Sequence, residues 1–231
     1  MASLAENMPA KIYKGALVDI DGVLVDSETI HYEVFRDFFK EFGVTLTPQM
    51  HIDYWIREDG RGTKGIIEDF KLNLNLDYAR KKRVEMLNER LAEIKPREGA
   101  RDFLEYLHIL GVPMVAVTSN YENVSVPLLK RLDFLDHFRD VITCEYIHNR
   151  YLNAKPHPDP YVQAAMILRK NPSECVGFED APKGIISMKE AGIGLAVAVE
   201  YGWTKDMDFS GKAVPDIRVA SLAEVINLGL F

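Results

Sequence analysis

The chain has 231 residues, 47% of them hydrophobic and 27% charged, and a formal net charge of −7. That is enough chain for a sizeable core, built as one large domain or one domain with an insertion. The acidic balance and the lack of a basic cluster argue against nucleic acid or an anionic membrane as partner, and no apolar run approaches the roughly 20 residues of a spanning helix.

From the amino terminus, "MASLAENMPAKIYK" carries no apolar h-region, so no secretory signal is expected. "GALVDI", residues 15–20, is a short β-branched run that reads as a buried strand. Residues 28–95 then show helical patterns and no convincing strand. "SETIHYEVFRDFFKEFG" is amphipathic, with Ser27 placed to cap it and Tyr32, Phe35, Phe38 and Phe39 reading as local core. "GRGTKG", residues 60–65, matches G-x-G-x-x-G. The dinucleotide fingerprint must follow a strand, and this stretch does not. "LDYARKKRVEMLNERLAEI" is a long charged helix.

After Lys95-Pro96 strands and helices alternate. "GARDFLEYLHILG" puts Phe103, Leu104, Leu107 and Leu110 on one stripe and stops at Gly111. "PMVAVTS", "DVITC", "CVGFED", "GLAVAVE" and "DIRVA" read as near-continuous apolar strands, the pattern of a parallel sheet covered on both faces. "DPYVQAAMILRK" is expected to start with Asp159 as N-cap and Pro160 as its first residue, and "SLAEVINLGLF" with a capping box of Ser221 and Glu224. Cys144 and Cys175 fall in strand-like runs and are expected as buried free thiols in a cytoplasmic protein. The fold class is α/β: a doubly wound, mostly parallel, Rossmann-like sheet with an inserted all-helical domain. Residues 1–27 and 96–231 form the core and 28–95 the insertion.

In open α/β sheets ligands bind at the carboxyl ends of the strands. That edge collects Asp19 and Asp21 from the first strand, Thr118, Ser119 and Asn120 from "PMVAVTSN", and Glu179 and Asp180 from "CVGFED". Lys155 stands in the Pro-stiffened loop "NAKPHPDPY". Crowded carboxylates are costly unless a positive charge or shared chemistry accounts for them. His148 and His157 flank Lys155 without a convincing metal-site pattern.

These pieces resemble the haloacid dehalogenase-like superfamily, over nearly the whole chain. "DIDGVLVDSE" is similar to its first motif, D-x-D-G-x-x-x-D-[ST]; Thr118, Lys155 and "GFEDAPKGI" are similar to the second, third and fourth. The helical insertion resembles its cap of the first type, and the set is similar to the β-phosphoglucomutase-like branch. The resemblance implies Asp19 as nucleophile and Asp21 as general acid and base. It implies Mg²⁺ held by Asp19, the Asp21 carbonyl and Asp180, with Glu179 beside them. Thr118, Ser119, Asn120 and Lys155 would hold the phosphate. His31 would relay protons or tether Asp21, and Arg61 or Lys64 would reach the substrate from a cap loop. The activity implied is a Mg²⁺-dependent phosphatase acting on a small phosphorylated metabolite, such as a sugar phosphate, through an aspartyl-phosphate. The alternatives are a phosphomutase and a catalytically silent phosphate-binding regulator. A dehalogenase lacks the second acid, which this chain keeps as Asp21. One cap over one site suits a monomer.

Overall fold

The computed structural model describes residues 12–57 and 59–231. Most of the amino-terminal stretch read for a secretory signal lies outside them. The chain enters through β1 (Gly15–Val18) and β2 (Val25–Asp26), then passes through α1 (Glu28–Lys40), α2 (Pro48–His51), α3 (Gly62–Asp69) and α4 (Leu76–Glu89). It returns through β3 (Lys95–Pro96), α5 (Ala100–Ile109), β4 (Met114–Val117), α6 (Glu122–Arg131), β5 (Phe138–Ile142), α7 (Cys144–His148) and α8 (Asp159–Leu168). β6 (Cys175–Glu179), α9 (Pro182–Glu190), β7 (Leu195–Val199), β8 (Ile217–Val219) and α10 (Leu222–Ile226) complete it.

Six strands form one sheet in the order β5-β4-β1-β6-β7-β8, with every pairing parallel. β1 is central because all four of its residues are buried, which only a strand covered on both faces requires. Ala16 and Val18 enter one core with Phe103 and Phe178, and Leu17 enters the other with Val115, Tyr161 and Ile185. Register decides what the sheet presents at its edge. Val18 pairs with Ala116 on one side and Phe178 on the other. The residues that follow, Asp19, Thr118 and the Glu179-Asp180 pair, therefore emerge at one rim.

The helices between β2 and β3 bury a core of their own, including Phe35, Phe38, Phe39, Leu46, Ile66 and Ala79. β2 and β3 pair antiparallel, Val25 opposite Pro96 and Asp26 opposite Lys95, and tie the two crossings together. Each strand is two residues long, too short to leave a periodicity in the sequence. α2 continues into a π turn at Ile52–Ile56.

Four local expectations are corrected. Ser27 is the N-cap of α1, but its hydroxyl makes no capping bond and donates instead to Asp21. Asp159 is the first residue of α8, with Pro158 at the cap; its carboxylate accepts the Asn153 N–H at 2.8 Å. Ser221 caps α10 by position only, and Glu224 reaches back to the Ala220 N–H rather than to its own cap residue. Cys144 opens α7 and is only half-buried; Cys175 is buried, and both thiols are free.

Candidate active site

At the rim, Lys155 is the hub. Its ammonium donates to Asp19 Oδ1 at 2.6 Å, Glu179 Oε1 at 2.5 Å and the Val117 carbonyl at 2.8 Å, with the side chain 3% exposed. The three ammonium protons are thereby used. Burial opposes the charge on Lys155, but Asp19 and Glu179 outweigh it and push its pKa up. Glu179 is further fixed by the Tyr161 hydroxyl at 2.8 Å and the Asp180 N–H at 3.2 Å.

The acids remain under-compensated. Burial and the Glu179 carboxylate push Asp19 well above the ordinary carboxylate range, against the pull of Lys155. Burial, then Glu179 and Glu28, do the same to Asp180. Asp19, Glu179 and Asp180 each offer a carboxylate oxygen within 4.8 Å of the others, all buried. Hard, anionic oxygen donors with surplus negative charge fit a divalent cation of the Mg²⁺ type. Two glycines make the approach feasible. Gly22 sits at φ +78°, and a Cβ there would collide with the Asp180 carboxylate; one at Gly184 would collide with that of Glu179.

Asp21 is held differently. Ser27 Oγ donates to it at 2.6 Å, Thr118 Oγ1 at 3.0 Å, and His31 Nε2 stands 3.6 Å away. Burial disfavours its ionisation, but His31 together with the two hydroxyls outweighs that and holds its pKa at about 2. Thr118 Oγ1 also accepts the Asn120 N–H at 2.9 Å, and the Asn120 amide nitrogen lies 3.3 Å from His31. Arg97 clamps the intervening loop by donating to the carbonyls of Gly22 and Glu200.

A cavity of about 170 Å³ opens over these groups, lined from the rim by Asp19, Asp21, Thr118, Ser119, Asn120, Lys155, Glu179 and Asp180. From the helical insertion it is lined by Glu28, His31, Phe35, Trp55 and Arg83. The structure thus brings together nine of the eleven residues singled out from sequence. It does not bring Arg61 or Lys64. Arg61 pairs with Asp69 and, at 3.2 Å, with Glu68 on its own helix; Lys64 lies 3.7 Å from Glu68. Phe35 belongs to the insertion's core and also lines the cavity.

Sequence reasoning missed Arg83, Trp55, Lys183 and the Glu28–His51 pair. Lys183 Nζ donates to the Trp55 carbonyl at 3.2 Å, bridging α9 to the insertion. Glu28 and His51 are 2.6 Å apart. A signal for Arg83 was present: Ala79, Arg83 and Leu87 are spaced by four, so the arginine shares the buried stripe of α4.

The rim thus gathers a buried carboxylate at the end of β1, a second acid two residues on, a buried lysine and a cation-sized acidic cluster. The profile of the haloacid dehalogenase-like hydrolases matches residues 13–192, and the chain belongs to that family, in its phosphatase and phosphomutase branch. YhcW of Bacillus subtilis, described as a candidate phosphatase, is 31% identical over 92% of this chain and 93% of its own. The phosphorylated carbohydrates phosphatase of Thermotoga maritima is 26% identical over 93% of this chain and 97% of its own. Among solved structures, CbbY of Rhodobacter sphaeroides, in complex with phosphate, superposes with a TM-score of 0.80 at 21% identity, covering 93% of this chain and 96% of that one. No helix among the described residues is long and apolar enough to cross a membrane.

Proposed function

We propose that the protein is a Mg²⁺-dependent phosphatase of a small phosphorylated metabolite, a sugar phosphate by class, working through an aspartyl-phosphate on Asp19. The observation that carries this is the convergence of Asp19, Glu179 and Asp180 with Lys155 at one buried rim. The relatives' names support the substrate class, since one acts on phosphorylated carbohydrates and another on fructose 1-phosphate.

In this reading one Asp19 oxygen attacks phosphorus while the P–O bond to the metabolite breaks, and the leaving oxygen takes a proton from Asp21. Water then attacks the phosphoryl group, Asp21 takes its proton, and the P–O bond to Asp19 breaks. The contacts from His31, Ser27 and Thr118 keep Asp21 ionised in the structure. A phosphate dianion beside it adds like charge and raises its pKa, the direction the acid role requires. Asp19, Asp180 and the Asp21 carbonyl would hold Mg²⁺, with Glu179 close by; the ion supplies charge neutralisation between nucleophile and phosphate. Thr118, Ser119 and Asn120 would take phosphate oxygens, and Lys155, its three protons already committed, would add its positive charge beside them. Residues 28–95 would act as a cap that closes over the substrate and excludes water, with one chain sufficing for one site.

A hydrolysis screen over phosphorylated sugars, nucleotides and phosphoglycolate, with and without Mg²⁺, tests the assignment. The wild type releases phosphate only with the metal, and Asp19→Asn does not turn over. An active Asp19→Asn enzyme overturns the covalent route. Conversion of glucose 1-phosphate to glucose 6-phosphate without phosphate release replaces the phosphatase with a mutase.

A further inference from the structure

Lys183 belongs to the core, yet its ammonium is spent on the insertion. It is the second residue of α9, three after Asp180, and stands half-buried at the wall of the cavity. Among the described residues its ammonium makes no ion pair and one hydrogen bond, from Nζ to the Trp55 carbonyl at 3.2 Å. Trp55 is the penultimate residue of the π turn Ile52–Ile56. The last carbonyls of a helical turn have no partner within it, and a cation placed there meets both those oxygens and the negative end of the helix dipole. The Trp55 side chain lines the cavity and stacks on Phe35 at 4.1 Å. Holding its carbonyl therefore holds part of the cavity wall.

The place of this bond gives it a role. Other hydrogen bonds between the insertion and the core sit at the two crossings. In the first turn of α1 the Glu28 N–H donates to the Tyr201 hydroxyl at 3.3 Å, Thr29 Oγ1 accepts Trp203 Nε1 at 3.2 Å, and His31 lies 3.3 Å from the Asn120 amide nitrogen. At the return, Arg131 donates to the Ile94 carbonyl. A swing of the insertion about these crossings moves them least and parts Lys183 from Trp55. We propose that Lys183 is a specificity-determining residue: its bond to Trp55 latches the insertion over the cavity and so favours phosphate esters small enough to react beneath it. This rests on reading the cavity as a phosphatase site. The latched cavity has a volume of about 170 Å³, below the roughly 300 Å³ at which ordinary ligand pockets begin. A small ester reacts with the latch shut, and an ester too bulky for that space reacts only with it parted. The ratio of the two rates then follows the ratio of closed to open protein, wherever that equilibrium lies.

The test compares the wild type with Lys183→Met, which keeps the length of the side chain and removes the donor, and with Lys183→Arg, which keeps a charged donor. kcat/KM is measured with Mg²⁺ for glycerol 1-phosphate and for AMP. In Lys183→Met the preference for the small ester falls about fivefold or more, the worth of one intramolecular hydrogen bond, and Lys183→Arg retains most of it. A lysine that only stabilises the fold lowers both rates alike and leaves the ratio where it was. Acrylamide quenching supplies a readout that needs no turnover. The chain has two tryptophans, so in a Trp203→Phe background the quenched emission is that of Trp55. Adding Lys183→Met to that background raises the quenching constant, as the cavity wall swings into solvent, and adding Lys183→Arg leaves it near the background value. An unchanged ratio, or unchanged quenching, in Lys183→Met overturns the latch. Hydrolysis with an unchanged ratio removes only the latch. No hydrolysis of any ester by any of these proteins removes the phosphatase, and the quenching then decides the latch alone.

Discussion

Replacing Lys155 by Met keeps a flexible chain of similar length and removes the charge between Asp19 and Glu179. Two ion pairs at 2.6 and 2.5 Å and one carbonyl contact disappear, in a place where the lysine is 3% exposed. The acids left behind lie within 4.8 Å of one another. At an effective dielectric of about 20, two carboxylates at that separation repel by roughly 3.5 kcal/mol. Breaking a buried pair by removing one partner costs about 3–5 kcal/mol, of the same size. For a chain of this length that lowers Tm by about 6–20 °C at neutral pH. The cost is electrostatic, so it has a sign in pH. Without Lys155 the Asp19 and Asp180 carboxyls sit still higher above their ordinary values and take up protons on folding. The deficit is therefore largest near neutrality and shrinks as pH falls toward 4, where the unfolded acids are protonated too. Mg²⁺ replaces the lost charge in part and stabilises the variant more than the wild type. Calorimetric melting at several pH values, with chelator and with Mg²⁺, checks each part. A variant melting within about 2 °C of the wild type, or a pH-independent deficit, would refute the reasoning.

Two further substitutions probe the surroundings. In His51→Phe the Glu28 carboxylate loses its 2.6 Å partner. Burial opposes ionisation of Glu28, but His51 outweighs it and holds the pKa below the ordinary value, a contribution present above about pH 4.5 and lost as pH falls through the depressed value. The variant is less stable by about 1–3 kcal/mol at pH 7, the cost of losing a hydrogen bond to a charged group, and denaturant titrations show the gap closing toward pH 4. Gly22→Ala meets a φ of +78° and the Asp180 carboxylate; it costs about 1–2 kcal/mol in backbone strain and raises the Mg²⁺ concentration needed for half-maximal activity, read from a metal titration.

The sheet was legible because its strands are buried on both faces. All six apolar runs read from the sequence became the strands of the parallel sheet, and β1 lies at its centre. The rim followed from the rule that ligands sit at the carboxyl ends of such strands. Residues that act through local geometry were less legible. Ser27 reads as a helix cap, yet its hydroxyl belongs to Asp21, because a buried carboxylate competes for it more strongly than helix amides do. Arg83 was hidden inside a run of four basic residues, Arg80 to Arg83, of which only it is buried. Arg61 and Lys64 drew attention as cations near glycines, but acids on the same helix already neutralise them.

The central claim is that Asp19 carries the phosphoryl group. A single turnover in heavy-oxygen water, followed by acid quenching and mass spectrometry of the peptide containing Asp19, tests it most directly. The account predicts a phosphorylated Asp19 peptide at early times and, after the water attacks phosphorus, heavy oxygen in the released phosphate alone. Phosphate released with no phosphorylated peptide at any time, or a phosphoryl group found on another residue, would contradict it.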